Sequence, residues 1–137
     1  MLLTALLKTV QLGQVRIRSV MDASMGSSLR HLLECQLREF DSMETEAFTI
    51  ALQRGWELPE LDPGRRFLQD RLTRIKLNGS HTDSRIADML IQNHTKGMIE
   101  GLRNLHQFRK PDRQIQILSQ KLLDCETAHI RQMQPFL

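Results

Sequence analysis

The sequence lacks several features that define common classes of protein. It has no tyrosine, one tryptophan and four prolines in 137 residues, so it resembles neither a proline-rich disordered chain nor a strand-rich domain. Its longest uncharged apolar run is far shorter than the roughly 20 residues that a membrane-spanning helix needs. A glycine-rich phosphate loop and a nucleophile elbow are also absent. We therefore expect a cytoplasmic helical protein without a membrane span.

Cysteine is scarce and the charge is mixed. Cys35 and Cys125 are the two cysteines; they lie in apolar helical patterns and do not form a Cys-x-x-Cys motif, so we expect packed, reduced thiols. The 19 basic and 16 acidic residues alternate along the chain, which is typical of a solvated surface. One basic cluster could attract phosphates, but it lacks interleaved aromatics and is predicted to be a solvated helix face, so nucleic acid is not an expected partner. Its members are Arg65, Arg66, Arg71, Arg74 and Lys76.

Apolar residues recur every three or four positions along most of the chain, a spacing that predicts amphipathic α-helices. Together with the glycine, proline and cap residues that interrupt it, this spacing predicts one all-α domain over residues 1–137. The main helices are expected at about 2–21, 28–54, 83–108 and 112–135, with a further helix at about 65–77. Trp56 follows Gly55 at the end of the second helix and is predicted to plug one end of a bundle.

A polar residue interrupts the apolar stripe of each main helix. These residues are Gln14, Gln36, Asn93 and His129. Gln14 and Gln36 are both eleven positions from Met25 in the first loop, so an antiparallel hairpin is expected to place them side by side. All four reach one level only if the segment between the second and third helices runs the length of the bundle. The pattern therefore predicts a four-helix bundle of two antiparallel hairpins joined by a long helical crossover.

The stretches MLIQNHTKGMIEGLRNLHQF and LLDCETAHIRQMQPFL, together with this helix pattern, resemble the ferritin-like superfamily. Within it, the chain is similar to small bacterial bundles related to spore coat protein F. The resemblance implies a metal layer at mid-bundle, built from glutamates and Glu-x-x-His motifs. Only Glu126-x-x-His129 matches that motif here, whereas amides stand at Gln14, Gln36 and Asn93. A complete di-iron site is therefore not expected, because neutral amides do not offset the charge of two divalent ions.

Two interpretations of the polar layer stay open. In the first, Gln14, Gln36, Asn93 and His129 form a hydrogen-bonded layer that fixes helix register and holds no cofactor. In the second, Glu126, His129, Glu39 and His94 hold a single iron, manganese or zinc ion.

The expected function follows from the first interpretation. The chain is predicted to be a non-enzymatic, ferritin-like protein with a degenerate metal layer that acts as a homo-oligomer or with a protein partner. The resemblance implies a sporulation-related setting and an association with spores. Leu58, Leu61, Phe67 and the apolar N-terminus are the candidate contact surfaces. The alternative function is that of a metal-binding redox protein that uses the partial site.

Overall fold

The computed structural model describes residues 2–23, 25–59, 82–108 and 112–137. This part of the chain contains four α-helices, one short 3-10 helix and no strand, which confirms the predicted all-α class. The helices are α1 (Leu2–Val20), α2 (Ser27–Gln53), α3 (Asp83–Gln107) and α4 (Arg113–Met133), and the 3-10 turn is Gln134–Phe136. Their ends differ from the expected positions by at most two residues. The predicted helix at 65–77 and its basic cluster lie outside the described residues.

Side-chain caps define where α3 and α4 begin. The Thr82 hydroxyl accepts a hydrogen bond from the Arg85 amide at 3.2 Å, and the Asp112 carboxylate accepts one from the Gln114 amide at 2.8 Å. Each cap satisfies an amide that has no partner inside the helix. Gly55 follows α2 with φ of +67°, a left-handed conformation that glycine adopts without strain. The local sequence therefore explains both helix starts and the end of α2.

Hydrogen bonds connect neighbouring helices with residue numbers that rise on one helix and fall on the other. Between α1 and α2, Gln11 donates to Glu44 at 3.1 Å and Gln14 donates to Asp41 at 2.8 Å. Between α2 and α4, Gln36 donates to Gln132 at 3.2 Å, while further along Lys121 Nζ lies 2.6 Å from Glu46. These pairs determine which side chains of α1, α2 and α4 face one another.

Two contacts bring helix ends together. The Gly26 amide, just before α2, donates to the Asp83 carboxylate at the start of α3 at 2.9 Å. At the other end of α2, Arg54 forms an ion pair with Asp112 at 2.7 Å, immediately before α4. The beginnings of α2 and α3 are therefore neighbours, and the end of α2 lies beside the beginning of α4.

Apolar residues from all four helices form one buried core. Leu2, Leu3, Leu6 and Leu7 belong to it, so the prediction that the apolar N-terminus is a contact surface is wrong. Leu58 is partly buried against the same core, whereas Leu61 and Phe67 lie outside the described residues.

Trp56 does not plug the bundle. Its side chain is 38% exposed, and the Arg54 guanidinium lies 5.2 Å from the centroid of its ring. In the described part of the chain, no helix is long and apolar enough to span a membrane.

Candidate metal centre

Three side chains with different donor atoms meet where α2 and α4 pack together. Cys125 and His129 are one helical turn apart on α4, so their side chains lie on the same face, and Glu39 reaches them from α2. The Nε2 atom of His129 lies 2.7 Å from Glu39 Oε2, and Cys125 Sγ lies 3.2 Å from both atoms. We call Glu39, Cys125 and His129 the outer triad. It is the one cluster of three or more acidic, cysteine or histidine ligands found among the described residues.

The outer triad lies at the edge of an open groove. His129 is fully buried, whereas the Glu39 side chain is 51% exposed. A cavity of about 460 Å³ adjoins the site and is lined in part by Glu39, Met43, Asp124 and Cys125. Small molecules and ions in solvent can therefore reach the carboxylate and the thiol, while the imidazole is held inside the protein.

Burial determines the protonation of the outer triad. It lowers the pKa of His129, against the opposing effect of the Glu39 carboxylate, so this imidazole is neutral at pH 7. Because a carboxylate only accepts hydrogen bonds, we assign the single ring proton to Nε2. Burial, together with a hydrogen bond to Glu39, also raises the pKa of the Cys125 thiol. In the metal-free protein the Glu39 carboxylate thus accepts one hydrogen bond from each partner.

His94 and Glu126 lie deeper in the protein, and we call them the inner pair. The His94 ring centroid is 5.2 Å from that of His129. The Glu126 carboxylate faces Gly97 of α3, where an added Cβ would lie 2.6 Å from its Oε2 atom. Glycine at this position therefore leaves the space that the carboxylate occupies. His94 Nε2 and Glu126 Oε2 are both buried without a hydrogen-bond partner among the described residues.

The inner pair is shifted strongly toward its neutral forms. Burial, then the neighbouring His129 and Arg16, lowers the pKa of His94 from 6.5 to about 3. Burial also raises the pKa of Glu126 from 4.5 to about 8, although the nearby Arg16 acts in the opposite direction. At pH 7 the interior therefore contains a neutral imidazole and a predominantly protonated carboxyl group.

The four predicted metal ligands divide between these two groups. Glu39 and His129 meet in the outer triad, whereas the structure does not bring Glu126 and His94 into the same cluster. Successive helix positions point about 100° apart, and Glu126 consequently faces α3 while Cys125 faces α2. Sequence reasoning treated Cys125 only as a packed thiol. Its spacing of four residues from His129 was the available signal.

The predicted layer residues Gln14, Gln36, Asn93 and His129 are all buried. Gln14 and Gln36 are not partners, however, because Gln14 donates to Asp41 and Gln36 to Gln132. Asp41 lies five positions beyond Gln36, which corresponds to roughly 7 Å along the helix. The expectation that the two glutamines lie side by side is therefore wrong. Although Gln14 and Gln36 are equally far from Met25 in sequence, they lie at different levels along the pair of helices α1 and α2.

The donor atoms of the outer triad fit one ion better than two. Zinc–ligand bonds of about 2.0 to 2.3 Å place the ligands of a tetrahedral site about 3.4 to 3.6 Å apart. The observed separations are 2.7 to 3.2 Å, so the Glu39 and Cys125 side chains must each move by less than about 1 Å to admit an ion. A second ion does not fit, because the outer triad supplies three donor atoms for one ion and Arg16 adds positive charge near Glu126 and His94.

Comparison with known proteins identifies no relative: no family model, no curated protein and no solved structure matches the chain.

Proposed function

We propose that the protein is a ferritin-like four-helix bundle that binds one divalent transition-metal ion through Glu39, Cys125 and His129. The observation that carries the proposal is the convergence of carboxylate, thiol and imidazole donors, all within 3.2 Å of one another. Burial of His129 supports it further, because a neutral imidazole is the form that binds metal.

The ferritin-like topology is supported by the helix pairings. Gly26 and Asp83 are neighbours, which favours a common starting end for α2 and α3. A helix of 27 residues is roughly 40 Å long, so the chain between Gln53 and Asp83 has to return over that distance. Its 29 residues are sufficient, since an extended chain spans about 3.3 Å per residue. Two antiparallel hairpins joined by a crossover satisfy these requirements.

The donor set favours zinc or iron(II) among divalent ions. A thiolate is a soft ligand that zinc and iron accept, whereas magnesium and calcium prefer oxygen ligands. Three protein ligands beside an open groove also correspond to a site that keeps a position for water or a small molecule. In the bound form the ion would supply Lewis acidity, with Glu39 and a deprotonated Cys125 offsetting its charge.

Cobalt(II) and zinc titrations of reduced, chelator-treated protein test this proposal. We expect one ion per chain by elemental analysis, and a thiolate-to-cobalt charge-transfer band in the near ultraviolet. Cys125→Ser and His129→Gln should each weaken zinc binding at least about 100-fold, beyond the 10- to 100-fold typical of outer-shell residues. Cys35→Ser is the matched control, since Cys35 is the other half-buried thiol. Unchanged zinc affinity in Cys125→Ser would overturn the proposal.

Self-assembly or partner binding is the second candidate function, and exposed apolar side chains favour it. Leu52 is 82% exposed and Phe48 39% exposed, one turn apart on α2, and Ile117 of α4 is 59% exposed. If Phe48 and Leu52 mediate assembly, light scattering will give a mass above 15.9 kDa, and Leu52→Glu will restore the monomer. A wild-type monomer at the highest attainable concentration would contradict self-assembly.

A further inference from the structure

Gln36 lies on the face of α2 that also carries Glu39, and this face packs against α4. On α2 it is one turn from Glu39, and on α4 its partner Gln132 is one turn from His129. Side chains three positions apart on a helix are neighbours, with about 5–6 Å between their Cβ atoms. Glu39 and Gln36 therefore meet successive turns of α4, Glu39 at His129 and Gln36 at Gln132.

One side-chain atom of His129 and one of Gln36 have no hydrogen-bond partner in the part of the chain that the structure describes. His129 Nδ1 and Gln36 Oε1 are both buried, and neither makes a hydrogen bond among the described residues. The Gln36 amide nitrogen is already engaged, because it donates to Gln132 at 3.2 Å. That bond directs the amide and leaves its oxygen as an acceptor. In the metal-free protein His129 Nδ1 carries no proton, so these two acceptor atoms cannot bond to each other.

Metal binding changes this relationship. An ion at Nε2 replaces the ring proton that Glu39 accepts in the metal-free protein, and a neutral imidazole must then carry its proton on Nδ1. Metal-bound histidines almost always donate this second N–H to a carboxylate, a carbonyl or water. The buried oxygen of Gln36 is a carbonyl acceptor of this kind.

We infer that Gln36 is a positioning residue that accepts a hydrogen bond from His129 Nδ1 when a metal ion occupies Nε2. The inference rests on the proposed metal site and assigns a role to an amide that the ferritin-like resemblance treats as a lost ligand. It also gives the buried Gln36 Oε1 atom a hydrogen-bond donor, the His129 Nδ1–H group, in the metal-bound protein.

The test compares zinc affinity in two buried glutamine variants. Gln36→Met keeps side-chain length but removes the acceptor, and should weaken zinc binding about 10- to 100-fold. Gln14→Met is the matched control, since Gln14 is equally buried but pairs with Asp41 on another part of α2. Its zinc affinity should stay within about twofold of the wild type. Equal affinities of Gln36→Met and the wild type would overturn the inference and leave the metal site intact.

Nitrogen-15 NMR of histidine-labelled wild type gives a readout that does not depend on a variant folding. In the zinc-loaded protein we expect His129 Nε2 bound to the metal and Nδ1 protonated, with slower proton exchange at Nδ1 than in Gln36→Met. Metal on Nδ1 would overturn the inference. A loss of affinity in Glu126→Gln but not in Gln36→Met would also overturn it, because Glu126 would then be the acceptor. Absence of zinc binding to the wild type would reject the metal site and this inference together.

Discussion

The outer triad and the inner pair are two polar groups whose histidines, His129 and His94, both contact one buried residue, Phe40. The Phe40 ring makes an edge contact with His129 at 5.1 Å and stacks near His94 at 5.8 Å. In the outer triad each side chain has a polar partner, and Glu39 reaches solvent. The inner pair is enclosed, and one polar atom of each residue lacks a hydrogen-bond partner within residues 2–23, 25–59, 82–108 and 112–137. The glutamate and histidine of the two groups therefore differ mainly in their access to solvent and in their hydrogen-bond partners.

Because of this difference the outer triad is suited to binding an ion, whereas the residues of the inner pair are held in their uncharged forms. An exposed carboxylate can move toward an ion and keep its charge, whereas a buried carboxyl without a partner avoids the cost of ionisation by keeping its proton. The Glu126-x-x-His129 motif has one residue in each environment. A motif of two potential ligands is thus not a metal site unless the fold brings both to the same side.

Removing Phe40 should give the largest effect, because its buried ring packs against the histidines of both groups. Phe40 is fully buried, and Phe40→Ala should lower the free energy of unfolding by about 3–5 kcal/mol. Urea denaturation of the metal-free protein measures this loss. Phe48→Ala is the control on the same helix, and its exposed ring predicts a loss of less than about 1 kcal/mol. Equal losses would contradict the central position of Phe40.

The protonation of Glu126 predicts a pH-dependent effect of intermediate size. Its folded pKa of about 8 lies above the reference value of 4.5, so folding binds a proton across this range. The stability contribution is fully present below pH 4.5 and is lost as pH rises toward 8. Glu126→Gln cannot ionise, so its stability relative to the wild type should increase by up to about 1.4 kcal/mol per pH unit.

Denaturation between pH 5 and 8 in the presence of a chelator measures this difference. Glu34→Gln, which removes an exposed carboxylate from α2, provides the control. A constant difference between Glu126→Gln and the wild type across the range would show that Glu126 is ionised in the folded protein.

The smallest of the expected effects is a difference in alkylation rate between the two cysteines. Both are half-buried, so exposure alone predicts similar alkylation rates. Burial and Glu39 raise the pKa of the Cys125 thiol, whereas Cys35 Sγ lies 3.2 Å from the Arg38 guanidinium. Because the thiolate is the reactive form, iodoacetamide at pH 7.5 should modify Cys125 at least about 10-fold more slowly than Cys35. Mass spectrometry of single-cysteine variants measures both rates, and a faster Cys125 would contradict this environment.

The helices were predictable because their signals are local. Thr82 and Asp112 are cap residues next to amphipathic stretches, and Gly55 allows the turn that ends α2. The burial of Gln14, Gln36, Asn93 and His129 followed from their positions within apolar stripes. Their partners could not be obtained in this way, because the relative depth of two helices depends on how their side chains interlock. The ferritin-like resemblance and the sporulation-related role stay predictions.

The sequence by itself determined the all-α class, the helix limits to within two residues and the burial of the four predicted layer residues, since periodicity and capping act within a few residues of chain. Only the tertiary structure decided that Cys125 joins Glu39 and His129 while Glu126 turns toward Gly97. The physical reason is rotational: neighbouring positions on a helix face different partners, and packing determines which partner each one meets. The same packing leaves His129 with one ring nitrogen beside the groove and the other in the interior.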